Sequence, residues 1–412
     1  MYALIAMAIA LGCLILMMHF KIRLGRAMVA AALVLTLLLR VTPTDYGRAL
    51  LHEWQHKPLQ QTTGYLWITL TALVAFVNVL GIAMKEAGIS KRLAPALQRI
   101  FKSRRLALGG IPAIMGLLPT PGGIMLSAPM VRDLGDSLGV ERSRQAAINF
   151  LFRHQWESVW PIFPSVPLIQ TMFGMSALSL MAHNSVLSLT GLLSGTVFLL
   201  FTALPRSTVK ENVTGHYVVH LRNFLQALGP IALVAGLYAG LGLPPACGML
   251  LAILAVLLFH RVPVNRWAGI FRAGLDWNFA LLIFGAMLFK LTIEAGQAVD
   301  SVVQFFHTIG APPLVVIFVL PFTVACLTGV TVATVAMTFP FLTPFIGTGA
   351  ECRPGLEALA FAGVLCGLFV TPVHLCLALS TGYFSCSFNK LIRYMVLPVL
   401  FIAGAGIVMA LI

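Results

Sequence analysis

Charge is what this sequence has least of. Only 10% of its 412 residues are Asp, Glu, Lys or Arg, and only 13 are acidic. Soluble domains carry roughly 25% charged residues. With 59% hydrophobic residues and a mean hydropathy of +0.94, no polar stretch is long enough for a separate soluble domain. The motifs of common enzyme folds are missing too. There is no Walker loop, G-x-S-x-G elbow or H-E-x-x-H, and no G-x-G-x-x-G in a strand–helix setting. Nothing therefore points to an ATP-driven pump on this chain. The cysteines (Cys13, Cys247, Cys326, Cys352, Cys366, Cys376 and Cys386) have no paired metal spacing. Most lie in apolar runs and read as small buried hydrophobes, not disulfides. Residues 2–19 are apolar with no basic segment before them. They read as a first span with an outside N-terminus and not as a cleavable signal.

What is present is apolar length. It predicts an all-α polytopic membrane protein with ten spans, roughly 2–19, 27–41, 64–84, 146–172, 179–203, 222–242, 244–260, 276–296, 356–384 and 391–411. Two further apolar stretches, 106–131 and 312–346, are interrupted in the middle. In the first, Pro119-Thr120-Pro121-Gly122-Gly123 cannot be helical, because two prolines lack amide donors and two glycines are poor helix formers. Each arm has about ten to twelve residues, half of the about 20 that cross a bilayer. A re-entrant helical hairpin with its tip near the midplane is expected, in preference to one helix kinked at Pro119 and Pro121. Bare backbone at that depth must be buried in protein or line a wet cavity. The second stretch breaks at Leu327-Thr328-Gly329-Val330-Thr331, followed by Thr334.

The basic residues give an orientation. With the N-terminus outside, the outer loops hold Arg40, Arg48, Lys57 and Arg353. Lys85, Arg153 and Lys290 lie within spans or at their ends, and the other 20 of 27 Lys and Arg fall inside. This positive-inside bias predicts a multi-pass cytoplasmic (inner) membrane protein with both termini on the outer side. The first hairpin then enters from the cytoplasm and the second from outside. The net charge of +14 is topological: the partner is the lipid bilayer, and no nucleic acid is expected.

An internal repeat follows. Lys85-Glu86-Ala87-Gly88 ends the third span, and Ile293-Glu294-Ala295-Gly296 ends the eighth. Each precedes a short amphipathic segment and then a broken apolar stretch. Two halves, 1–205 and 206–412, each have five spans and one hairpin. An odd number of spans makes the second half inverted, a pattern common in secondary transporters.

Ionisable residues inside apolar spans are costly and point to function. After the first hairpin come Asn149, Arg153, His154 and Glu157, then Pro161 and Pro164. Arg153 and Glu157 are i,i+4 and can pair on one helix face. Arg153 can offer a fork to a carboxylate. His154 or Glu157 can carry a proton. After the second hairpin come Thr371-Pro372-Val373-His374, then Ser380 and Thr381. Lys290 and Glu294, also i,i+4, read as snorkelling and interfacial groups. The segment Thr42–Thr62 carries no decodable chemistry. No resident metal is expected.

Three runs, LLPTPGGIMLSAPMV, FRHQWESVWPIFP and TPVHLCLALSTGYF, resemble a prokaryotic integral membrane family, domain of unknown function 401. It is grouped with the ion-transporter superfamily, beside gluconate permeases and citrate and dicarboxylate carriers. The resemblance covers most of the chain. It implies a two-repeat, ten-span elevator carrier in which hairpin tips and unwound helices hold substrate and sodium. On this chain the substrate-binding candidates are Thr120, Pro121, Gly122, Gly123, Arg153, His154, Thr328, Gly329, Thr331, Thr371 and His374. Asn149, Glu157, Thr334, Ser380 and Thr381 are candidates for the coupling ion or proton. The Ser-Asn-Thr tip motif of dicarboxylate carriers is absent.

The expected function is secondary active transport of a small solute, an organic anion, coupled to H+ or Na+. No enzyme activity is expected, and no cofactor beyond the coupling ion. A cation/proton antiporter with Glu157 and the histidines as relay is the alternative. An intramembrane lipid-acting enzyme is a distant one, lacking a visible nucleophile or metal. Elevator relatives are often dimers, which makes a homodimer the candidate assembly.

Overall fold

Breakers divide the apolar sequence into many short helices. The structure, a computed structural model, describes residues 2–101, 103–117, 124–202 and 217–412. Among these there are twenty α-helices and no strand. The first ten are α1 (Tyr2–His19), α2 (Leu24–Leu38), α3 (Pro43–His56), α4 (Thr63–Glu86), α5 (Ile89–Ile100), α6 (Arg104–Gly116), α7 (Ile124–Ser137), α8 (Arg142–Arg153), α9 (Ser165–Phe173) and α10 (Ala177–Gly195). The second ten are α11 (Tyr217–Leu241), α12 (Pro245–Phe259), α13 (Val264–Gly274), α14 (Trp277–Ala295), α15 (Ala298–Thr308), α16 (Pro313–Thr328), α17 (Thr331–Ile346), α18 (Pro354–Val370), α19 (Leu375–Phe384) and α20 (Phe388–Leu411).

The chain is a polytopic, helical membrane protein, but length corrects the span count. Among the described residues, seven segments are long and apolar enough to cross a bilayer, namely α1, α4, α10, α11, α14, α18 with α19, and α20, or eight if α2 and α3, bent by 107° at their break, are one span. Ten were expected. Two of the missing three, α2 and α12, have only 15 residues. The left-handed residues Arg40 and Arg261 turn the chain just beyond them. The third, 146–172, is α8 and α9 separated by residues 154–164. The segment Thr42–Thr62, read as a loop, folds as α3. Thr42 and Asp45 form a capping box there, with Pro43 in the first turn.

Both interrupted stretches are paired helices. α6 packs on α7 and α16 packs on α17. Gly329 and Val330 connect the second pair. The first connection, which holds Thr120, Pro121, Gly122 and Gly123, lies outside the described residues.

The helices sort into two packing groups. α1–α5 and α11–α15 contact mainly one another, as do α6–α10 and α16–α20. Small residues allow close approach within each group. Gly285 of α14 lies against the backbone of α2, and Gly363 and Gly367 of α18 lie against carbonyls of Phe318 and Phe322 on α16. Between the groups, α14 runs against α17.

A buried ion cluster locks part of the first group. Lys290 Nζ lies 2.9 Å from Glu294 and 3.2 Å from Glu53, and Lys57 Nζ is 3.2 Å from Glu53. Thr63 adds its amide N–H, 2.8 Å from Glu53 Oε2. Burial of Glu53 opposes ionisation. The nearby Lys290 charge, the Thr63 amide and Lys57 outweigh it and hold the carboxyl well below its ordinary range.

Candidate functional site at two helix breaks

α8 stops at Arg153, and residues His154–Trp156 form a tight 3₁₀ turn. This break comes before Pro161 and Pro164, earlier than prolines alone predict. Contacts anchor the turn. Trp156 Nε1 donates to the Ala113 carbonyl of α6 at 2.7 Å. Ser188 of α10 donates to the Gln155 carbonyl. Gly116 sits under the Arg153 carbonyl, where a Cβ would collide with it. Because the helix ends, Arg153 and Glu157 are not on one helical face; their charges still act on each other, but each makes its own hydrogen bond. Arg153 Nη1 donates to the Met115 carbonyl at 2.7 Å, and Glu157 accepts from the Thr331 hydroxyl.

The second break lies between α18 and α19. Thr371 Oγ1 donates to the Cys326 carbonyl at 2.5 Å, and His374 Nδ1 lies 2.6 Å from the Gly329 carbonyl. Both bonds tie the break to the end of α16. Gly329 has φ 65°, and a Cβ there would come within 2.8 Å of the His374 amide nitrogen. Only glycine suits both the left-handed turn and this close approach.

The two breaks meet at their histidines. His154 Nε2 and His374 Nε2 are 3.3 Å apart. His154 Nδ1 faces the Phe150 carbonyl at 2.7 Å. Phe150 and Phe369 pack around the pair. Glu157 Oε1 is 3.9 Å from His154 Nε2.

A cavity of about 280 Å³ opens beside them. Arg153, His154 and Glu157 line it, together with Val330 and Val332 at the start of α17 and Leu375 and Cys376 at the start of α19. The opposite wall comes from α4 (Val77, Asn78) and α14 (Phe279, Leu282). The cavity thus lies between the two packing groups. Two helix N-termini and the Arg153 guanidinium bring positive potential to its wall, and the Glu157 carboxyl on the same wall brings an acidic group beside them.

The other candidates separate from this centre. Thr328, Gly329, Thr331, Thr371 and His374 are not in the cavity lining; Gly329 and Thr331 flank the lining residue Val330, and His374 precedes the lining residue Leu375. Thr334 bonds Thr328 at 3.0 Å and the Val330 carbonyl at 2.9 Å, and so braces the hairpin tip. Asn149 accepts from Ser127 at 2.6 Å and donates to the Ile124 carbonyl, which ties α8 to α7. Ser380 and Thr381 lie further along α19, outside the cavity lining, and Thr381 bonds the Ala378 carbonyl of its own helix.

The sequence reading missed the α4 and α14 wall and Cys376, which carry no signal beyond ordinary span residues. It also missed Glu53. His154, His374 and Cys376 bring donor atoms within 4.8 Å of one another. The Arg153 charge bears on both His154 and Cys376. A fixed cation there makes the set a poor home for a divalent ion.

The family model described as "Protein of unknown function (DUF401)" matches residues 4–412. No curated protein matches the chain. Among solved structures, the YdaH transporter of Alcanivorax borkumensis, described as having an unusual topology, is similar. It shares 15% identity over 88% of each chain, with a TM-score of 0.61. At that identity the likeness is one of fold.

Proposed function

The chain belongs to that family of unknown function, and from this premise we propose that it is a secondary active transporter of a small organic anion, driven by H+ or Na+. One observation carries the reading: Arg153 and the first turns of α17 and α19 line the same cavity. Such an arrangement of half-helices around a midplane site is the transporter pattern. The cavity volume suits a solute near the small end of the ligand range.

The proposal extends to how the carrier works. The order of helices in α1–α10 recurs in α11–α20: an amphipathic helix, a span, another amphipathic helix, a hairpin, a broken span and a last span. This supports two repeats, and the positive-inside bias of the sequence supports their inversion. The two packing groups support an elevator in which α6–α10 and α16–α20 slide against the rest and carry the cavity wall with them. The kinship with gluconate permeases and citrate carriers rests on the sequence motifs, and nothing in it names the substrate.

Reconstituted liposomes test the reading. An imposed H+ or Na+ gradient should drive accumulation of a small carboxylate, sulfonate or phosphonate that also raises the melting temperature of the protein. Arg153→Ala should abolish uptake. Normal uptake by that variant would remove the anion site from this cavity. The antiporter reading is favoured by Glu157 and the facing histidines. Na+-evoked proton flux without any organic solute would select it.

A further inference from the structure

We propose that His154 and His374 hold one proton between their Nε2 atoms and that this proton is the coupling ion. This rests on the transport reading above and decides between its two ions. A carbonyl oxygen only accepts, so the ring nitrogen that bonds it must carry hydrogen. His154 Nδ1 bonds the Phe150 carbonyl and His374 Nδ1 bonds the Gly329 carbonyl. Both neutral rings are therefore Nδ1–H tautomers, and both Nε2 atoms are bare. Those atoms face each other at 3.3 Å, and both rings are buried, with His154 at the edge of the cavity. Two lone pairs so placed repel. One added proton converts the repulsion into an N–H⁺···N hydrogen bond. A second would place two N–H groups head to head. The pair is a one-proton device.

The surroundings give that proton a use. Glu157 Oε1 at 3.9 Å offers negative charge, and Arg153 opposes it. Among the described residues, Cys376 at the start of α19 completes the titratable groups facing the pair. The walls from α8 and α18 are the rings of Phe150 and Phe369. An anion bound at Arg153 cancels the opposing guanidinium charge. Proton and anion therefore bind with mutual help, as a symporter needs. The His374–Gly329 bond transmits the protonation state to the tip of the second hairpin. Proton-coupled uptake should follow a bell-shaped pH profile, high only where the pair holds one proton.

The decisive measurement is NMR of the full chain, ¹⁵N-labelled at histidine, in lipid nanodiscs between about pH 5 and pH 9. The expected result is two rings that keep Nδ1–H and share a single Nε2 proton, lost when either becomes Gln (His154→Gln, His374→Gln). Separate Nε2–H tautomers, or two rings titrating independently, would overturn the proposal from the wild-type spectra alone. So would visible absorption of tetrahedral Co2+ in chelator-treated protein that disappears in His374→Gln, because a metal would then occupy the pair. A shared proton in protein that accumulates no anion under any gradient would strike the transport reading and leave the proton site standing.

Discussion

Two basic–acidic pairs at i,i+4 stand in the apolar sequence, Lys290–Glu294 and Arg153–Glu157, and they end differently. Lys290 and Glu294 lie on the unbroken α14 and close to 2.9 Å. Glu53 of α3 and Lys57 just beyond its end complete a four-membered cluster around them. Arg153 is the last residue of α8, and the turn that follows carries Glu157 away to Thr331. The first pair is saturated by its neighbours and bears on stability. The second lines a cavity, with helix N-termini beside it. A buried pair inside continuous helix is held by i,i+4 geometry. The same spacing across a helix end leaves the charges to other partners. Spacing alone therefore does not separate a saturated strut from a pair that lines a cavity, whereas helix continuity does.

The comparison can be broken at several points. The largest effect belongs to Lys290→Met, which leaves Glu53 and Glu294 to share Lys57. Unfolding in detergent should show a loss of about 3–5 kcal/mol, with ligand binding by the surviving folded protein unchanged. A loss of binding without a loss of stability would reverse the two roles. Arg153→Lys is next. It keeps the charge and loses the fork, so anion binding should weaken roughly 10- to 100-fold while the melting temperature moves little. Calorimetry or ligand-induced thermal shift reads it.

Gly329→Ala should cost about 1–3 kcal/mol from the left-handed backbone. It also presses on the His374 amide, so uptake should fall along with stability. Full uptake would show that the hairpin tip and the second break do not move as one. Smallest is the acid response of the ion cluster. The depressed Glu53 pKa means that its contribution is present above the ordinary carboxylate range and is lost as pH falls below it. Melting temperature should drop between about pH 5 and pH 2, and Glu53→Gln should flatten that limb.

Much of this arrangement was legible in residues. The break at Leu327–Thr331 was readable because glycine and clustered threonines interrupt an apolar run. The break at Thr371–His374 was readable because Pro372 removes a donor. Arg153, His154 and Glu157 stood out because ionisable groups are rare in apolar segments. The end of α8 at Arg153 was not readable. The nearest prolines lie beyond it, and contacts from Ala113, Gly116 and Ser188 fix the turn. Glu53 looked like a loop residue because its buried partner Lys290 is 237 residues further along the chain.

The sequence by itself determined that the chain is membrane-embedded and helical, where it breaks, and which side chains are too costly to be idle. These follow from local properties: transfer energy, backbone donors and helix propensity. Only the tertiary structure decided which costly groups meet. It brought His154 within 3.3 Å of His374, residues 220 apart in sequence. It also set α4 and α14 across the cavity from Arg153. Such pairings depend on how helices pack, and packing is a property of the whole chain rather than of any window along it.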